Sequence, residues 1–150
     1  MTRRRFIHAA AASLAGAAVA APAIAQGNPT INWRLASSFP KSLDTIFGAS
    51  EIMSRRVSQL TDGKFNIRAF PGGELVPALQ VADAVQQGTV ECAHTASVFF
   101  FGKDPTFALD GQIPFGMTSR QMTGWMYSGG GLPLLREFYR DYNIVNFACG

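Results

Sequence analysis

The chain has 150 residues, of which 47% are apolar and 15% charged, a composition typical of a globular domain. Arg3, Arg4 and Arg5 account for its whole formal net charge of +3, and the other Lys and Arg residues are scattered along the sequence. A remainder that is neutral once these three residues are set aside argues against a nucleic-acid-binding protein.

Residues 1–25 have the pattern of an export signal. The positive segment Arg3–Arg5 precedes an alanine-rich apolar run, Ala9–Ala21, that is too short to predict a membrane span. Small residues around Ala25 predict cleavage after it. The Arg3-Arg4 pair is typical of the twin-arginine route, so we expect the mature protein in the periplasm.

Strand and helix patterns alternate after the signal. Alternating apolar and polar residues predict strands, and apolar residues three and four apart predict helices. The predicted strands are Ile31–Ser37, Lys64–Phe70, the start of the stretch Thr89–Pro105, and Ile144–Ala148. The predicted helices are 42–61, 77–87, one that begins at the capping box Thr118-x-x-Gln121, and one that Pro133 opens and Asn143 ends. This order predicts an α/β fold with a mostly parallel sheet flanked by helices.

Helical spacing also predicts which residues of the first two helices face the core. In the first helix these are Ile46, Ala49, Met53, Val57 and Leu60. In the second helix they are Leu79, Ala82 and Val85, and Gly88 ends that helix. We expect Ser42 or Asp44 to cap the start of the first helix, and Asp62-Gly63 to close its end.

Polar and aromatic residues follow two of the predicted strands. Ser37, Ser38 and Phe39 follow the first strand, and the run Phe99–Phe101 follows the third. Carboxyl ends of parallel strands meet at one edge of a sheet, where ligand crevices form. Three consecutive Phe in a strand cannot all face one core, so at least one is expected to line a pocket. The alternative, in which all three are core residues, remains open.

Catalytic and metal-binding patterns are sparse. His94 is the one histidine outside the signal, and no acidic residue or G-x-S-x-G motif stands at a recognisable spacing from it. We interpret it as a hydrogen-bonded strand residue rather than a base. Cys92 and Cys149 could pair in the periplasm, but a buried free Cys92 is the favoured interpretation. Two cysteines and one histidine do not predict a metal site.

A set of motifs resembles one family. The set comprises the twin-arginine leader, Ser37–Asp44 preceded by Trp33-Arg34, Asp62-Gly63, Gly72–Glu74, Gly102–Pro105 and Ile113–Gly116. Together these resemble a solute-binding protein of a TRAP (tripartite ATP-independent periplasmic) transporter, DctP-like, closest to the branch that binds 2-oxo acids. The resemblance covers essentially all 150 residues.

The resemblance implies a fold like the type II periplasmic binding proteins, with two α/β lobes joined by a long helix. Residues 26–150 would form the N-terminal part of lobe one. In the family an arginine grips the substrate carboxylate and 2-oxo acid binders also hold sodium, with ligands expected beyond residue 150 and no metal ligand in this chain. Family pocket-wall positions map onto Phe99 and Phe100. The full set of expected substrate-binding residues is Ser37, Ser38, Phe39, Phe99, Phe100 and Phe115.

We therefore expect a non-enzymatic periplasmic receptor that delivers a small carboxylate, such as pyruvate, to TRAP permease subunits in the membrane. A homodimer is a further expectation. Two alternatives stay open: a periplasmic sensor domain with the same binding fold, and an enzyme exported by the twin-arginine route. The enzyme would need a catalytic cluster that this sequence does not show.

Overall fold

A computed structural model describes residues 29–111 and 113–149, so the predicted signal, 1–25, lies outside the described residues. The strands are β1 (Ile31–Ser37), β2 (Phe65–Phe70) and β3 (Cys92–His94). The α-helices are α1 (Asp44–Leu60), α2 (Val81–Gln86), α3 (Ser119–Ser128) and α4 (Gly131–Arg140). Short 3₁₀ helices span Ala78–Gln80, Ser97–Phe100 and Pro105–Ala108.

The three strands form one parallel sheet in the order β2-β1-β3. Ile31 lies opposite Phe65 across the first pair, and Ser37 lies opposite His94 across the second. The central strand β1 therefore has both neighbours parallel to it, and the predicted parallel α/β architecture is confirmed.

Helices cover both faces of this sheet. The chain crosses from β1 to β2 in one direction and from β2 to β3 in the other, and right-handed crossovers then place α1 and α2 on opposite faces. On the α2 face, residues of α2, α3 and α4 join Ala36 in one hydrophobic core. Its buried members are Ala36, Val81, Ala84, Val90, Phe100, Phe107, Met126, Leu135 and Tyr139.

The predicted inward face of α1 is wrong. Ile46 and Met53 are 41% and 39% exposed, and Leu60 is 84% exposed, whereas Phe47, Ser50 and Ser54 are buried. The two serine hydroxyls donate to carbonyls of the same helix, Ser50 to Phe47 (2.6 Å) and Ser54 to Ser50 (2.7 Å). Because these hydroxyls are satisfied locally, a small polar face can be buried at little cost.

The predicted inward face of the second helix is confirmed in part. Ala82 and Val85 are half-buried and pack against the core, but Leu79 is 62% exposed, and the fully buried residues are Val81 and Ala84. The segment begins as the 3₁₀ turn Ala78–Gln80 and only then becomes α2. A 3₁₀ turn has three residues rather than 3.6, so it shifts the helical phase of the residues around it.

Two further segments differ from the predicted strands. Residues 97–100 form a 3₁₀ helix instead of a strand, yet the expectation that at least one phenylalanine leaves the core is confirmed: Phe100 is buried, and Phe99 and Phe101 are exposed. Residues 144–148 form no strand, because a strand requires a neighbour to pair with and none of the described strands lies beside them.

Most helix ends match the sequence. Thr118 and Gln121 form the predicted capping box at the start of α3, with the Thr118 N–H donating to Gln121 Oε1 at 2.9 Å. Asp62 and Gly63 after α1 have φ of 49° and 73°, and Asn143 after α4 has φ of 54°. The N-cap of α1 is instead Leu43, with no side-chain hydrogen bond. No helix within the described part of the chain is long and apolar enough to cross a membrane.

Candidate ligand-binding edge

Ser38 joins three segments where the strands end. Its backbone N–H donates to the His94 carbonyl at 2.9 Å, and its hydroxyl donates to the Ala78 carbonyl at 2.6 Å. The same hydroxyl lies 2.6 Å from Thr95 Oγ1. Ser38 is 7% exposed, and these bonds use both its donor and an acceptor position. It therefore fixes the loops after β1 and β3 relative to each other and to the start of the second helix.

Ser37 and Gly72 support the same loop. Ser37 is 1% exposed, and its hydroxyl oxygen accepts from the Phe39 N–H at 3.0 Å. The N–H of Gly72, after β2, donates to the Phe39 carbonyl at 3.0 Å. A Cβ at position 72 would lie 2.9 Å from the Ser38 carbonyl oxygen, so only glycine fits this approach of two backbones. Both contacts hold Phe39 in place at the edge.

Three aromatic rings line this edge side by side, in the spatial order His94, Phe39 and Phe99. The Phe39 ring lies 5.1 Å from the His94 ring and 6.0 Å from the Phe99 ring, centroid to centroid, tilted by 57° and 56°. Phe39 is half-buried and Phe99 is 44% exposed. We call His94, Phe39 and Phe99 the aromatic edge. It presents apolar ring surface at the carboxyl ends of β1 and β3.

Two predicted site residues lie elsewhere. Phe100 is 3% exposed and packs 5.8 Å from the Phe107 ring, within the core. Phe115 is fully exposed, with φ of 61°, on the turn Ile113–Gly116. That turn borders a separate open hollow of about 540 Å³ at the start of α3. The structure thus brings Ser37, Ser38, Phe39 and Phe99 together and leaves Phe100 and Phe115 apart from them.

His94 is a strand residue of β3, as predicted, and its carbonyl accepts a hydrogen bond from the Ser38 N–H. Its ring departs from the prediction, because Nδ1 is buried with no hydrogen-bond partner among the described residues. Burial lowers the pKa of the imidazole, since desolvation disfavours its charged form. A neutral imidazole with an unpaired ring nitrogen therefore stands beside the Phe39 ring.

A carboxylate supports the turn that carries Phe99. Asp110 accepts a hydrogen bond from the Ser97 hydroxyl through Oδ1 and from the Tyr139 hydroxyl through Oδ2, the latter at 2.7 Å. Burial, followed by the neighbouring Asp110, raises the pKa of Tyr139 well above its usual range. The Asp110 carboxylate thus fixes the 3₁₀ helix Ser97–Phe100 to α4. Sequence spacing gave no signal for this group, because its members are 13 and 29 residues apart.

The remaining reactive groups lie away from the edge or are inert. Burial raises the pKa of the Cys92 thiol to about 11, and Cys92 and Cys149 are both unpaired. Arg34 and Glu91 form an ion pair (Nη2–Oε1, 2.7 Å) that, with the Arg34 N–H, holds the pKa of Glu91 at about 2. Across residues 29–111 and 113–149, no group of three or more His, Cys, Asp and Glu side chains could hold a metal ion.

The profile of the DctP family, described as bacterial extracellular solute-binding protein, family 7, matches residues 36–149. The chain belongs to this family. Over its whole length it is 42% identical to a monocarboxylate 2-oxoacid-binding periplasmic protein from Nostoc sp., and it spans 43% of that relative. The resemblance to TRAP solute-binding proteins of the 2-oxo acid branch is therefore confirmed.

Solved structures of DctP-family relatives give the same fold. A TRAP transporter solute-binding protein from Bordetella bronchiseptica, 55% identical, aligns with a TM-score of 0.80 over 82% of this chain and 37% of its own, as a dimer with calcium and picolinate bound at one site. One from Pseudoalteromonas atlantica, 34% identical, aligns with a TM-score of 0.74 over 81% of this chain and 37% of its own, with sodium and pyruvate bound. This chain thus spans less than half the length of these relatives.

Proposed function

We propose that this DctP-family protein is a periplasmic receptor that captures a small organic carboxylate, specifically a 2-oxo acid such as pyruvate, and delivers it to a TRAP membrane permease. The observation that carries this proposal is the aromatic edge at the carboxyl ends of β1 and β3, the position at which parallel α/β sheets bind ligands. Relatives that bind pyruvate or picolinate together with a cation support the ligand class. The receptor acts by binding and not by catalysis.

Residues 26–150 are proposed to form the N-terminal part of one lobe, and a second lobe closes over the ligand by a hinge motion. Phe39 and Phe99 form the apolar wall, while Ser37 and Ser38 hold the loop beneath them. Among the described residues, no group of three or more His, Cys, Asp and Glu side chains could hold a metal ion. As the family resemblance implies, the arginine that grips the carboxylate and the ligands of a sodium or calcium ion are proposed to lie mainly elsewhere in the protein.

Thermal unfolding of the full-length mature protein tests the proposal. A 2-oxo acid at a hundred times its dissociation constant should stabilise the fold by about 2.7 kcal/mol. We expect a rise in melting temperature with pyruvate that depends on sodium or calcium. A rise with sugar acids or dicarboxylates alone would contradict the 2-oxo acid assignment, and no rise with any carboxylate would contradict a carboxylate receptor.

A matched pair of variants tests the wall. Phe99→Asp places a carboxylate beside the bound carboxylate and should abolish pyruvate binding, because an unpaired buried charge is costly. Phe101→Asp is the control: Phe101 is 54% exposed, two residues away, and outside the aromatic edge. Equal affinity of both variants for pyruvate would contradict the assignment of Phe99 to the binding site.

Residues 1–25 are proposed to be a twin-arginine signal that is cleaved after Ala25. Replacing Arg3 and Arg4 with lysine keeps the positive charge but removes the pair that the twin-arginine route recognises. The precursor should then accumulate in the cytoplasm, as fractionation and N-terminal sequencing can establish. Export of the double variant at the normal rate would contradict the proposed route.

A further inference from the structure

His94 lies where a side chain of the sheet can reach the ligand edge. It is the last residue of β3 and pairs with Ser37, so the two side chains share the α1 face of the sheet. Its ring contacts Phe39, which in turn contacts Phe99. His94 is therefore the one ionisable member of the aromatic edge.

The hydrogen bonding of the ring is incomplete. Buried polar atoms in proteins nearly always have a partner, yet His94 Nδ1 is buried and has none among the described residues. A neutral imidazole has one N–H donor and one bare acceptor nitrogen. In protein backbones, orphaned N–H groups are rarer than under-satisfied acceptors. By the same preference we infer that Nδ1 is the bare nitrogen and that Nε2 carries the proton.

Nε2 differs from Nδ1 in its surroundings. It is absent from the buried, unpaired side-chain atoms of residues 29–111 and 113–149, and no described residue hydrogen-bonds to it. Since Nε2 has no partner among the described residues, an N–H at this atom would be available to a ligand, in a ring that packs against Phe39. An N–H donor in an apolar wall is the kind of group that orients a small polar ligand.

We propose that His94 contacts the ligand and donates a hydrogen bond from Nε2–H to an oxygen of the bound 2-oxo carboxylate. The inference rests on the proposed receptor function and adds a specificity-determining residue to it. Hydrogen bonds to a carboxylate are shorter and stronger than neutral ones. The 2-oxo acid would thus gain orientation at the edge, beyond the apolar contact that Phe39 and Phe99 supply.

Three substitutions separate the donor from the ring. His94→Phe keeps an aromatic ring against Phe39 but removes both nitrogens. His94→Gln places an amide N–H near the position of Nε2, and His94→Asn places one near Nδ1. Calorimetric titration of the full-length mature protein with pyruvate, in sodium or calcium, should show a loss of about tenfold or more for His94→Phe and His94→Asn. His94→Gln should bind pyruvate within a few-fold of the wild type.

Stability and tautomer measurements distinguish this role from a structural one. His94→Phe should unfold at the same or a higher temperature than the wild type without ligand, because an unsatisfied buried nitrogen is removed. In wild-type protein, ¹⁵N chemical shifts of the ring should show the Nε2–H tautomer, and the Nε2–H resonance should move when pyruvate binds. A resonance that stays in place at saturating pyruvate would overturn the proposal.

The outcomes also separate this inference from the receptor function. Wild-type protein that binds pyruvate while His94→Phe binds it equally well would overturn the role of His94 alone. Wild-type protein that binds no 2-oxo acid with either cation would overturn the receptor function and this inference with it. Loss of binding in His94→Phe together with a fall in its melting temperature would indicate a structural role and would also overturn the proposal.

Discussion

The helices on the α2 face of the sheet bury large apolar side chains, whereas α1, on the opposite face, buries two serines and one phenylalanine. On the α2 face, Phe107 is 2% exposed and has four other aromatic rings within 6 Å. On the α1 face, the buried residues of the helix are Phe47, Ser50 and Ser54. The apolar stripe of α1 points away from the sheet instead.

The difference shows that an apolar stripe does not by itself determine which side of a helix is buried. Small side chains with satisfied hydroxyls let a helix lie close to a sheet, and close packing gains dispersion energy over the whole contact. Bulky residues fill the opposite face. The following predictions test this contrast, from the largest expected effect to the smallest.

Phe107→Ala should cause the largest loss, about 3–5 kcal/mol of unfolding free energy, because it leaves a cavity among the rings of the α2 face. Urea unfolding of the full-length protein measures the loss. The control is Phe101→Ala, which truncates a ring that is 54% exposed. Similar losses for the two variants would mean that Phe107 is not central to the core.

Ser54→Leu should destabilise the α1 face by about 1–3 kcal/mol, because a larger side chain must fit at a position that is only 8% exposed. Ser54→Ala is the matched control. It loses the hydrogen bond to the Ser50 carbonyl but gains helix propensity, so its unfolding free energy should change by less than about 0.5 kcal/mol. A neutral or stabilising Ser54→Leu would show that this face has unfilled space.

Met53→Ser, in the exposed stripe of α1, should change the unfolding free energy by less than about 0.5 kcal/mol, as surface substitutions do. Met53 lies in the same turn of the helix as the buried Ser54 but is 39% exposed. The comparison with Ser54→Leu therefore contrasts two sides of one helix. A loss above about 2 kcal/mol in the full-length protein would show that another segment covers the stripe.

Glu91→Gln should have the smallest effect at neutral pH, because the Arg34–Glu91 pair is largely exposed. Its effect should depend on pH. The pKa of Glu91 is about 2 in the fold and 4.5 as its ordinary value, so the carboxylate contributes stability above pH 4.5 that is lost as the pH falls toward 2. Glu91→Gln should reduce the dependence of the melting temperature on pH in that window. The control Glu137→Gln, at an exposed position, should not reduce it. Parallel pH profiles for Glu91→Gln and the wild type would contradict the ion pair.

The sequence predicted the first three strands and most helix ends well, because both depend on local chemistry. Alternation located β1 at its observed bounds, and the capping pattern of Thr118 and Gln121 located the start of α3. It predicted the facing of α1 poorly and that of the second helix in part, because each helix offers more than one face and only its packing partners select which is buried. For the run Phe99–Phe101 it predicted that at least one ring leaves the core, but which rings do so depends on a 3₁₀ turn and not on strand alternation.

By itself the sequence determined the parallel α/β architecture, the family, and the placement of Ser37, Ser38, Phe39 and Phe99 at strand ends. These features follow from residue patterns within a few positions of one another. Only the tertiary structure decided that Phe100 enters the core and that the Ser38 hydroxyl is occupied by hydrogen bonds within the protein. It also decided that His94, beside Phe39, has a ring nitrogen with no partner among the described residues. Each of these depends on contacts between segments distant in the chain, where the geometry of packing, and not residue type, determines which atoms meet.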